Sequence, residues 1–233
     1  MKKLIVFVIL ISFTYSLNAQ EKAPKIFRLG IKASPDLGWF VNDAKGYESN
    51  SAKFGFSWGL ICDIAFAKNY YFSTGFNIST ANGIMDFAHK MKISETDTIA
   101  KEGNLRRSYT LKYLEIPITL KMKTREFGKF TFYGQIGLGA GFNIKAQAND
   151  EFSYDSGNKI TSEENIKNSA SFFRASLILG IGAELSLGGT TSILMGLGYN
   201  NGFFNALSGK NIVTNVDEDA KSSFVDLSVG IIF

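Results

Sequence analysis

The stretch that most constrains this chain is its last ten residues, 224–233, which read FVDLSVGIIF. Val225, Leu227, Val229, Ile231 and Phe233 fall on one side of an extended chain, while Asp226, Ser228 and Gly230 fall on the other, with Ile232 the exception. About ten residues with one unbroken apolar side are what a tilted strand needs to cross a bilayer. A strand of a soluble sandwich can alternate in the same way, so the pattern gains meaning only by recurring.

It does recur. Residues 27–34, 54–66, 70–79, 109–123, 130–145, 173–187 and 193–200 each place large apolar side chains on one face and mostly small or polar ones on the other. The links between them alternate in length. Polar segments near 42–53, 81–107, 147–168 and 202–222 are long, whereas the links at 67–69, 125–128 and 188–189 are short. Outer-membrane barrels show this alternation, with short turns on the periplasmic side and long loops outside. Backbone polar groups in lipid must all be paired, so such a sheet must close on itself. The sequence therefore predicts an all-β, eight-stranded antiparallel up-and-down transmembrane β-barrel over residues 20–233. The main rival is a soluble lipocalin-like barrel, in which the same apolar faces would point inward.

The amino terminus agrees with export. Residues 1–19 carry Lys2 and Lys3, a short apolar run and small residues before Gln20, the features of a signal peptide cut near Ala19. Cys62 is the only cysteine, so no internal disulfide can form. Charges are scattered, with no basic stripe interleaved with stacking aromatics, and nucleic acid is not expected as a partner. Aromatics including Phe54, Trp58, Tyr70, Phe72, Phe130, Phe173, Tyr199 and Phe203 lie near strand ends and suit interfacial girdles.

If the apolar faces meet lipid, the opposite faces line the lumen. They carry Arg28, Lys32, Lys121, Lys145 and Arg174 against Asp36, Asp63, Glu115, Glu184 and Asp226, so the signs balance. Threading puts Arg28, Asp63, Lys121 and Glu184 toward the periplasmic end, and Asp36, Lys145, Arg174 and Asp226 toward the outer end. A structural charge network plugging the barrel is the first expectation, because eight strands enclose a space that side chains can fill; a narrow conducting path is the second. Gly137, Gly139 and Gly141 alternate with apolar residues inside a strand, where they make room for large inward side chains rather than cradle a phosphate. Pro117 is expected to mark a bulge or local irregularity.

No pattern supports catalysis, and no metal or cofactor is expected. His89, the only histidine, falls in a long polar segment and is read there as a solvated loop residue. Asp150, Glu151, Asp155, Glu163 and Glu164 make one loop acidic, but their spacing matches no calcium loop, and a solvated charged loop accounts for them.

Residues 112–121, KYLEIPITLK, resemble a segment of the Bacteroidetes outer-membrane β-barrel family often labelled PorT-like. RLGIKAS, GFNIS, GQIGLGAGF and the terminal VDLSVGIIF are similar to that family as well. The resemblance implies outer-membrane lipid as surroundings and, through a terminal aromatic at Phe233, the barrel-assembly machinery as a partner during insertion. Its namesake is associated with type IX secretion and gliding, so the resemblance also implies possible envelope or secretion partners. The expected role is structural or interactive at the cell envelope, with an accessory role in a secretion or transport apparatus as the alternative.

Overall fold

The computed structural model describes residues 26–42, 46–92, 99–154, 157–208 and 219–233. The signal-peptide expectation and Asp155 lie outside these residues. Ten strands form among them: β1 (Phe27–Asn42), β2 (Tyr47–Ser51), β3 (Lys53–Ala67), β4 (Tyr70–Met91), β5 (Lys101–Lys123), β6 (Phe130–Tyr154), β7 (Asn158–Asn165), β8 (Phe173–Gly188), β9 (Thr191–Asn205) and β10 (Ala220–Ile232). Eight of them close an antiparallel ring in the order β1, β3, β4, β5, β6, β8, β9, β10, with β10 pairing back onto β1. Short β2 and β7 add to β4 and β6 on the loop side.

The short turns need unusual backbone and have the residues for it. Asn69 sits at φ 69°, Gly128 at 64° and Gly189 at 62°, a region that Gly adopts freely and Asn tolerates. Both ends of the ring, Phe27 and Phe233, lie at this turn end, where the Phe233 amide donates to the Leu29 carbonyl at 2.7 Å.

Around the lower ring the large apolar side chains are outside. Leu29, Trp58, Ile118, Leu138, Ile181 and Leu227 are all exposed, whereas Ser57, Asp63, Ser73, Thr119, Lys121 and Ser176 are buried within. That is the polarity of a barrel in lipid and the reverse of a lipocalin. The lipocalin-like alternative therefore fails on the faces themselves.

Strands 4, 5 and 6 run much further than their alternation suggests. Residues 81–91, 101–107 and 147–154, expected as loop, are strand. In this extension the polarity inverts: Met85, Phe87, Leu105, Tyr109, Leu111 and Phe152 are buried inside, while Ser108, Arg106, Glu102 and Asn149 face out. An extension standing in water must bury its apolar face. Residues from β1 and β10 lean in to complete that core, including Phe40, whose ring meets Tyr109 edge-on at 5.4 Å, and Ala220.

Pro117 does sit at an irregularity, but no bulge. The β4–β5 ladder is interrupted between the Ser73–Thr119 and Asn77–Glu115 pairs without a change of register, and Gly75 faces that gap at φ 145°. The missing proline N–H therefore falls where no ladder bond is made. The true bulge of β5–β6 lies between the Lys112–Lys145 and Tyr113–Asn143 pairs, with Ile144 as the extra residue.

Candidate functional site: a charged lumen under an apolar cap

The inward charges do not form one evenly spread network; they separate into three groups along the barrel. At the turn end, Asp63 of β3 is fully buried and accepts from Lys121 Nζ at 2.9 and 2.8 Å and from Ser73 Oγ at 2.6 Å. Glu184 of β8 takes Arg28 at 2.6 Å and Lys123 at 2.7 Å. Lys123 also lies 3.5 Å from Asp63, so it joins the two carboxylates. Arg28, Asp63, Lys121 and Glu184 are thus brought together as the threading predicts. Lys123 was missed, although it shares the parity of Glu115, Thr119 and Lys121 and could have been read from it.

Two rings seal this level further. Tyr133 lies under Lys121 at 5.1 Å, and Tyr71 under Lys123 at 4.1 Å. A Cβ on Gly182 or Gly196 would collide with the Tyr133 hydroxyl, so these two glycines leave room for the ring. Ile232, the exception to the terminal alternation, points inward and packs with Ile61, Tyr133 and Leu194. Gly139 would place a Cβ 2.7 Å from Ser176 Oγ and 3.2 Å from Glu115 Cδ, so inward crowding explains it; Gly137 is limited instead by the neighbouring Ile118 backbone.

In the middle is a cavity of about 80 Å³ lined by Lys32, Asn77, Glu115, Tyr133, Gln135 and Asp226, among others. That volume and lining suit several water molecules. Lys32 faces it with no ion-pair partner recorded among the described residues. Asp36 and Asp226 are register neighbours across β1 and β10. Asp36 accepts from Ser57 at 3.0 Å and Thr80 at 3.3 Å, and Asp226 from Ser228 at 2.6 Å. Their partners are hydroxyls, so here the expectation of paired signs gives way to a serine- and threonine-lined acidic spot.

Toward the loop end, Arg174 of β8 spans the lumen. Its guanidinium donates to Glu115 at 3.1 Å, Asn200 at 2.6 Å and Ser222 Oγ at 2.8 Å, and it lies 5.5 Å from the Phe224 ring centre. Five fixed donors allow one arginine to tie β5, β9 and β10 together. Above it Tyr113 opens the apolar cap, whose members from β1, β4, β5, β6, β10 and the 206–207 segment close the loop end.

Lys145 is not in the lumen. The Ile144 bulge reverses the parity of β6 above it, so Lys145 is exposed on the outer face and Ala146, Ala148 and Asp150 turn inward. His89 is likewise not a free loop residue. It is half-buried on β4 between the Phe87 and Phe152 rings, and burial, with the nearby Arg107 charge, holds its imidazole below the usual histidine pKa.

Residues 147–154 and 158–165 of the acidic segment are strand, and the carboxylates of Asp150, Glu151, Glu163 and Glu164 are engaged. Arg107 takes Asp150 at 2.5 Å and Glu164 at 2.9 Å, Lys159 takes Glu151 at 2.6 Å, and Gln147 donates to Glu163 at 2.8 Å. The Lys159 hydrogen bond and charge keep the Glu151 carboxyl below its usual range. Among the described residues no group of three His, Cys, Asp or Glu is placed to hold a metal ion.

A closed antiparallel ring with an apolar outside and an ion-paired inside defines a small transmembrane β-barrel. More particularly, the chain belongs to the outer membrane protein beta-barrel domain family, whose model matches residues 18–208, and its location is the outer membrane. Strand β10 and Phe233 lie beyond that match. Among solved structures it is similar to Neisserial surface protein A, with 11% identity over 91% of this chain and 98% of that chain and a TM-score of 0.43. OprG from Pseudomonas aeruginosa shares 14% identity over 89% and 95% of the two chains, TM-score 0.44. The outer membrane protease OmpT from Escherichia coli shares 11% over 93% and 99%, TM-score 0.38. No curated protein matches the sequence.

Proposed function

We propose that this protein is a closed barrel that serves the cell envelope in a structural or interaction role, working through the sheet it raises above the membrane. The observation that carries this reading is the obstruction of the lumen at successive levels. The Asp63–Lys121–Lys123–Glu184 group blocks the turn end, Arg174 crosses the lumen between the cavity and the cap, and the Phe40–Tyr109–Leu111 core covers the loop end. A desolvated ion-pair cluster under an apolar cap leaves little path for solute. The surface sheet, in contrast, is broad and polar outside. An accessory role beside a secretion apparatus, in line with the PorT-like resemblance, is the second reading. It is favoured by the short strands β2 and β7 that end the surface sheet, since a strand edge is where another chain can pair. Planar-bilayer recording of the reconstituted full chain tests the closed-barrel reading: silence is expected, and steady single-channel steps would overturn it.

A further inference from the structure

The outer rim of β5 and β6 carries a charge arrangement that the fold itself does not need. Lys112 and Lys145 are directly opposed register partners, and both lie on the outward face: Lys112 half-exposed and Lys145 exposed. Like charges directly opposite one another, roughly 5 Å apart at Cβ, destabilise a strand pair. The Ile144 bulge creates this opposition, because an unbroken strand would have turned Lys145 inward. A third lysine joins them. The Ile166 amide donates to the Ala146 carbonyl at 3.2 Å, which sets exposed Lys167 beside the same rim.

Among the described residues no carboxylate makes an ion pair with any of these three lysines. The nearby acids Asp150, Glu151, Glu163 and Glu164 are held by Arg107, Lys159 and Gln147. Immediately below lies the top of the lipid-facing belt: Ile144 is exposed, and the Phe142 ring lies 5.9 Å from Phe172 and 5.7 Å from Phe173. Aromatic rings there mark the level where acyl chains give way to headgroups. Long lysine stems at that level can lie along apolar surface while their ammonium groups reach the headgroup plane.

We propose that Lys112, Lys145 and Lys167 form a binding site for the phosphate groups of an outer-leaflet lipid, with its acyl chains laid against the Phe142–Phe172–Phe173 cluster. A phosphate offers the missing countercharge to all three ammonium groups, and lysine binds it as a point charge without the planar match that arginine needs.

The test uses the refolded full chain in phosphatidylcholine nanodiscs doped with bis-phosphorylated lipid A, reading co-isolated lipid A by mass spectrometry. The combined variant Lys112→Gln, Lys145→Gln and Lys167→Gln is expected to retain at least about tenfold less lipid A than the native chain, from attraction on the order of a tenfold factor per one or two lysines. Lys221→Gln, exposed on β10 on the opposite side of the ring, is expected to change nothing, which separates a site from bulk charge. Boiled-against-unboiled gel mobility confirms that each variant is a closed barrel. Equal retention by the folded triple variant, equal loss with Lys221→Gln, or equal binding of dephosphorylated lipid A overturns the proposal. So does displacement of lipid A by inorganic phosphate at equal concentration, which would assign the rim to a free anion.

Discussion

The membrane half and the surface half of β5 are one continuous strand with opposite manners. Below Tyr113 its outward residues are Leu114, Ile116, Ile118, Leu120 and Met122; above it they are Lys112, Thr110, Ser108, Arg106 and Asn104. The inward set changes in the reverse sense, from Lys121, Thr119 and Glu115 to Leu111, Tyr109 and Leu105, without a break in parity. The alternation and antiparallel pairing of β5 run through both halves, so the surroundings decide which face is apolar. In lipid the outside is free for hydrocarbon and the inside must satisfy charges by pairing; in water the apolar face gains by turning in. Strand β6 makes the same change but with a bulge at the boundary, and its inward set passes from odd to even residues.

The largest expected effect lies in the membrane half. Asp63→Ala removes the acceptor of Lys121 and the neighbour of Lys123, leaving buried cations uncompensated; a loss of about 3–5 kcal/mol is expected, seen as a lower denaturant midpoint in detergent or lipid. Arg174→Met leaves buried Glu115 without its countercharge, held only by Asn200 Nδ2 at 3.3 and 3.4 Å, and should cost a similar amount. A variant that replaced Asp63 and both lysines with apolar residues of like volume should recover most of it, because a buried pair is weak evidence for net stability. If Asp63→Ala proves neutral, the lumen is wetter than its packing indicates.

In the surface half the corresponding substitution is Leu105→Ala, which opens a cavity in the cap at a cost of about 2–5 kcal/mol. Hydrogen exchange should show this loss confined to the extension, with the lower ring still protected. Simultaneous loss of protection in both halves would mean that they unfold as one unit.

The comparison is broken most directly by placing the same residue outside in each half. Ile118→Lys, near mid-membrane, is expected to cost about 2–4 kcal/mol. Ser108→Lys, on the same face of the same strand, should stay within about 0.5 kcal/mol. Equal costs at the two positions, read from unfolding in lipid vesicles, would place the membrane boundary elsewhere.

These contrasts explain what was legible in the sequence. The lower ring announced itself because Leu114, Ile116, Ile118 and Leu120 alternate with polar residues in the strong form that lipid demands. That Arg28, Asp63, Lys121 and Glu184 would share the turn end followed from parity and threading; which of them pair did not. The extension was read as loop because its apolar face is diluted: Arg107 interrupts Leu105 and Tyr109, Asp150 interrupts Ala148 and Phe152, and the alanines carry little signal. The side of Lys145 could not be read from period two, since one inserted residue reverses every side chain beyond it. Nor could alternation reveal that Asp36 and Asp226 would be neighbours served by hydroxyls, which depends on the closure of β10 against β1.

The smallest expected effect concerns pH and belongs to the surface half. His89 is the titrating group placed between Phe87 and Phe152 at the far end of the cap, facing Arg107 and, with opposite sign, Asp150 and Glu164. Its folded-state pKa lies below the ordinary 6.5, because burial disfavours the imidazolium and Arg107 repels it. The unfolded segment therefore binds more protons as pH falls through 6.5, and folding of the cap loses stability from there down toward the lowered pKa; above 6.5 the contribution is fully present. Amide exchange in residues 85–91 and 150–154 should accelerate across that window while the lower ring is unchanged. His89→Phe should remove the pH step without opening the cap, since an apolar ring suits the same slot. If exchange instead accelerates equally in β8 and β9, the acid response originates in the lumen carboxylates and the two halves share one titration.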